Sequence, residues 1–90
     1  MHAVVHRVTF NDRSAAEADL DVIVSEVAGM PGFVAGYWVA SSADAGVAAV
    51  MFDSEEAAKG FASFLQSAPA APGVTLDRES IEVGQVMAHA

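Results

Sequence analysis

Apolar residues recur along this chain with two periods, two residues in some segments and about 3.6 in others, and the alternation predicts its elements. Residues 3–10 are β-branched and aromatic and end at the turn-formers Asn11-Asp12, which predicts a first strand. Ser14 with Glu17 three positions later forms a capping box. Leu20, Ile23, Val24 and Val27 then follow at i, i+3, i+4 and i+7, with Asp19, Asp21 and Glu26 off that face, so a helix is predicted over about 14–29. A second strand covers about 33–40, and Asp44 and Gly46 suit a hairpin loop after it. The third strand, 47–52, is apolar on both parities, the pattern of a strand covered on both faces. Asp53 and Glu56 read as a second cap. Ala58, Phe61, Ala62 and Leu65 give a helix over about 54–67, closed by the Pro- and Gly-bearing segment 67–73. A last strand is predicted over about 78–88, with Ile81, Val83 and Met87 on one parity.

The sharpest local signal is Met30-Pro31-Gly32-Phe33. Pro31 cannot continue a helix and Gly32 tolerates a positive φ, so the change from helix to strand is fixed there.

The order β-α-β-β-α-β predicts a single α+β domain over residues 1–90. With right-handed crossovers it gives a ferredoxin-like four-stranded antiparallel sheet, strands one and three central and both helices on one face. Strand alternation puts Phe33 and Tyr37 on one face and Trp38 on the other. Two helices cover only one face of such a sheet, and the apolar third strand leaves the other exposed. A second copy packed face to face would cover it, so a symmetric homodimer is expected.

Composition narrows the partners. The apolar fraction is 53 %, which excludes a disordered chain. There is no cysteine, so disulfides, thiolate metal sites and cysteine nucleophiles are absent. A net charge of −8, with Arg7, Arg13, Lys59 and Arg78 as the only Lys or Arg, argues against nucleic acid and anionic membranes as partners. No apolar run approaches the roughly 18 residues that a membrane span needs, and nothing resembles a signal peptide; a soluble, cytoplasmic protein is expected.

The element order, the Met30-Pro31-Gly32-Phe33 junction leading into Val34-Ala35-Gly36-Tyr37-Trp38, and Phe52-Asp53-Ser54-Glu55-Glu56-Ala57 at the second helix resemble the antibiotic biosynthesis monooxygenase family. That family belongs to the dimeric α/β barrel superfamily. The resemblance implies a dimeric barrel with a pocket between sheet and helices or within the barrel, and it includes cofactor-independent oxygenases of phenols and quinols. Other members degrade haem, and some have isomerase roles. His6 falls where haem-degrading relatives resemble one another in carrying a pocket asparagine. Phe61 stands near their helix tryptophan, and no histidine lies between His6 and His89, which disfavours haem.

His6, in the middle of the first strand, is the candidate catalytic residue. A neutral imidazole there could take a proton from a phenol or enol. The alternative is a hydrogen-bonded interface histidine. Tyr37, Trp38, Phe33 and Phe61 are the candidate substrate-binding aromatics, with core or dimer packing as their alternative. Arg7 has the opposite parity to His6 and suits an ion pair. Glu82 is either an outward carboxylate on an edge strand or an inward base. His2 and His6 are about 13 Å apart along a strand, too far for one ion, and His2 with His89 lacks an acidic partner, so no metal site is assigned. No cofactor is expected. Two functions of different class stay open: a small dimeric barrel that binds a hydrophobic or aromatic metabolite, with cofactor-independent oxygenation as its implied chemistry, and a non-catalytic interaction or assembly module.

Overall fold

A computed structural model describes all residues, 1–90. The element order is β1 (His2–Phe10), α1 (Arg13–Ala18), α2 (Leu20–Ala28), β2 (Phe33–Ala40), β3 (Ala45–Phe52), α3 (Glu55–Ser67) and β4 (Val74–Gln85). The four strands form one antiparallel sheet in the order β2-β3-β1-β4, with β3 and β1 central as expected. Val4, Val50 and Phe52 of the sheet, Val27 of α2, and Ala58 and Phe61 of α3 form one core, so α2 and α3 cover the same face. This α+β topology is compatible with the ferredoxin-like arrangement.

The first helical region is two helices rather than one. α1 is capped by Asp12, whose side chain accepts from the Ala15 N–H, not by the Ser14–Glu17 box; Glu17 instead pairs with Arg13 one turn away. Asp19 ends α1 and precedes α2, with its backbone N–H turned back to the Ala15 and Glu17 carbonyls. Aspartate is a poor residue for a helix interior, and the apolar period begins only after it, at Leu20. The second cap also differs, lying one residue later than the sequence suggested. Ser54 accepts from the Ala57 N–H, which places Glu55 and Glu56 in the first turn of α3, where carboxylates favour the helix dipole.

The Met30–Phe33 junction behaves as its residues require. Gly32 has φ +79, and a Cβ there would meet Asp53 Oδ1 at 2.6 Å and the Ala57 Cβ at 2.8 Å. The Asp53 N–H donates to the Gly32 carbonyl at 2.8 Å, which ties the start of β2 to the end of β3.

Two irregularities change which residues share a face. The β2–β3 register shifts between Phe33 and Ala35, so Val34 bulges outward and Phe33 turns to the helix side against Phe52. Phe33 therefore shares the covered face with Trp38, contrary to simple alternation, whereas Tyr37 lies on the open face as alternation predicts. The second irregularity is in β4, which starts at Val74, earlier than the expected 78, and ends at Gln85. Val74 and Leu76 pair with Phe10 and Val8, and the register then slips between Asp77 and Glu82, so residues 78–81 bulge opposite His6. Ser80 secures the bulge, accepting from the Arg7 N–H and donating to the Asp77 carbonyl.

The far face of the sheet has no helix over it. Val5, Val34, Tyr37 and Val39 are exposed, Tyr37 by 59 %, and Ala35, Ala49 and Met51 lie among them half-buried. β3, expected to be buried on both faces, is fully covered only on the side of Gly46, Ala48, Val50 and Phe52. No helix is long and apolar enough to cross a membrane.

Candidate functional site

Side-chain size along β3 opens a space between sheet and helices. On the covered face β3 presents Gly46, Ala48, Val50 and Phe52 in sequence. The large residues fill one half of the layer together with Val4, Ala58 and Phe61, whereas Gly46 and Ala48 leave the other half shallow. The helices do not close over it, because α2 lies against β2 while α3 lies against β1, β3 and β4. The result is a cavity of about 600 Å3. That volume is within the range of small-molecule sites. Leu20, Ile23 and Val27 of α2 form one wall, Phe61, Phe64 and Leu65 of α3 the other, and the 67–71 segment one end. Leu20 and Phe64 are themselves exposed, so the cavity opens to solvent between the two helices.

Its floor is a row across three strands. Trp38 pairs with Ala48 and Ala48 with His6, so the indole and the imidazole flank the Ala48 methyl. Two strand spacings separate the two positions by about 10 Å. The Trp38 ring lies back over Gly36, where a Cβ would meet its Cη2 at 2.6 Å, so glycine at 36 is what allows this rotamer.

His6 is the one buried polar residue of the chain, 7 % exposed, and it lines this cavity. Its ring stands edge-on to Phe61 with centroids 6.5 Å apart. Nδ1 is sealed from solvent and has no hydrogen-bond partner. Burial lowers the imidazole pKa below its ordinary 6.5, because the charged form loses its hydration and no carboxylate replaces it. At neutral pH the ring is uncharged and able to accept a proton. An unpaired polar atom in a folded interior costs free energy, so His6 stabilises the fold less than an apolar side chain of its size would.

Of the residues singled out from the sequence, His6, Trp38 and Phe61 meet at the cavity. Phe33 and Tyr37 do not line it: Phe33 is core packing, and Tyr37 is on the far side of the sheet. Arg7 is exposed with its parity opposite to His6, and Glu82 is exposed on β4 beside Val5. His2 does not pair with His89 but lies 3.4 Å from Glu55 on α3, which also holds Lys59 at 2.6 Å. Nowhere do three His, Asp or Glu side chains converge as a metal site would require. Sequence reasoning missed the aliphatic walls from α2 and the role of Ala48; the descending sizes Phe52, Val50, Ala48, Gly46 were the available signal. Neither the comparison with protein-family models nor that with curated proteins finds a match to this chain.

Proposed function

We propose that the chain forms a dimeric α/β barrel, as its likeness to antibiotic biosynthesis monooxygenases implies, and binds a hydrophobic aromatic metabolite between sheet and helices. The observation that carries this reading is the buried His6 imidazole on the floor of an apolar cavity that also presents Trp38 and Phe61. Flat rings suit that lining, and a phenolic hydroxyl is the polar group that the neutral imidazole would complement.

The chemistry follows from the proton transfer. His6 takes the phenol proton, breaking O–H and forming N–H, and leaves a phenolate rich enough to pass electrons to dioxygen. Overall, phenol and O2 give quinone and water, with one oxygen atom in the ring carbonyl and the other in water. Dioxygen is the oxidant, and the sequence demands no bound cofactor. The open apolar face with Val5, Tyr37 and Val39 supports the dimer, since patches of this kind mark association surfaces.

Oxygen uptake with a panel of naphthols and anthrols tests the catalytic part. Wild type should consume oxygen and His6→Ala should not, while remaining the same oligomer. Unchanged turnover in His6→Ala would remove the imidazole from the mechanism. A stable monomer in sedimentation at micromolar concentration would refute the barrel. The exposed face also favours a second reading, a non-catalytic assembly module; a dimer that neither binds nor oxidises any member of the panel would decide for it.

A further inference from the structure

The cavity is apolar inside and charged only at its mouth, and that charge is predominantly negative. Arg13, Glu17, Asp19 and Glu26 are the charged residues along it. Glu17 and Glu26 are exposed and Asp19 half-buried, beside the exposed Leu20. One cation against three carboxylates leaves a net of two negative charges. The cation is already engaged. Arg13 Nε donates to Glu17 Oε1 at 2.9 Å, its guanidinium stacks 5.1 Å above the Phe10 ring, and Nη1 reaches the Ala43 carbonyl at 3.3 Å.

No other cation stands in reserve. Arg7 is on the opposite face of β1, and Lys59 is paired with Glu55. Arg78 points at the last carbonyls of α3, donating to Leu65 and Ala68. Inside, the only titratable group is His6, which burial keeps neutral. An anion drawn into this space would pass two unpaired carboxylates, Asp19 and Glu26, and then lose its hydration with no positive partner.

From this we infer that the ligand is an uncharged aromatic, and that Asp19 and Glu26 discriminate against carboxylated analogues of the same shape. This rests on the ligand-binding reading above and adds a substrate class to it: neutral phenols rather than aromatic acids.

Calorimetry at pH 7 and low salt with 6-hydroxy-2-naphthamide and 6-hydroxy-2-naphthoate, two probes of one shape and different charge, tests the inference. The amide should bind at least about tenfold more tightly, and 0.5 M NaCl should narrow the gap, because exposed charges are screened over a few Å at that strength. The double variant Asp19→Asn/Glu26→Gln should raise affinity for the naphthoate by about three- to tenfold and leave the amide unchanged. Equal or tighter binding of the naphthoate by wild type would overturn the inference, since it would mean that Arg13 leaves Glu17 to take the carboxylate. A gap insensitive to salt and to both substitutions would overturn the role of Asp19 and Glu26. Failure of both probes to bind would overturn the underlying ligand-binding reading and this inference with it.

Discussion

Replacing His6 by leucine should make the protein more stable, the reverse of the usual effect of a core substitution. His6 is 7 % exposed and its Nδ1 is sealed without a partner. A buried polar group left unpaired costs about 1–3 kcal/mol, and leucine of similar bulk removes that cost while adding apolar contact with Phe61. A gain of about 1–2 kcal/mol is large against the roughly 5–13 kcal/mol that holds a domain of this size. It corresponds to a rise in Tm of about 4–8 °C per kcal/mol. Urea unfolding at fixed protein concentration, followed by the fluorescence of the single tryptophan, Trp38, measures it directly. The pH dependence supplies a second check. The folded pKa of His6 lies below its ordinary 6.5, so the unfolded chain binds the proton more readily. Stability is then complete above about pH 6.5 and falls as the pH drops from there through the folded pKa. His6→Leu lacks this component, so its advantage over wild type should grow on acidification. Destabilisation by more than about 1 kcal/mol would show that the imidazole makes a favourable bond, as an interface histidine would, and the reasoning would fail.

Two other substitutions probe the frame and the cavity. Gly32→Ala should cost about 2 kcal/mol or more in the same urea assay, because the positive φ and the contacts with Asp53 and Ala57 leave a Cβ no room; an unchanged midpoint would contradict the account of the junction. Ala48→Leu should fill the floor between Trp38 and His6 and keep the circular dichroism spectrum and stability within about 1 kcal/mol. The same variant should lose affinity for 6-hydroxy-2-naphthamide by at least about tenfold; full affinity would mean that the ligand binds elsewhere.

Much of the frame was legible because it depends on local period. The opposite facings of Tyr37 and Trp38, and of His6 and Arg7, follow from strand alternation alone. The elements themselves follow from apolar spacing, and the Pro31-Gly32 boundary from backbone freedom. Alternation failed where an extra residue enters a strand. The bulge at Val34 turned Phe33 inward, and the slip between Asp77 and Glu82 hid the start of β4, where Thr75 and Asp77 alternate outward with Val74 and Leu76. Both caps moved because aspartate and serine compete for the same role, and only tertiary contacts decide which residue stops being helical. His6, Trp38 and Phe61 could be named one by one, but their meeting could not, since it depends on Ala48 lying between two strands and on helices that splay. The aliphatic residues of α2 read as ordinary core for the same reason.

The measurement closest to the central claim is a long-range 1H–15N spectrum of the histidine rings, recorded with and without 6-hydroxy-2-naphthamide. If the cavity takes an aromatic ligand against His6, the ring nitrogens of His6 and the indole of Trp38 shift on titration, while His2 and His89 stay in place. Saturable binding by calorimetry with His6 and Trp38 unmoved would contradict the account.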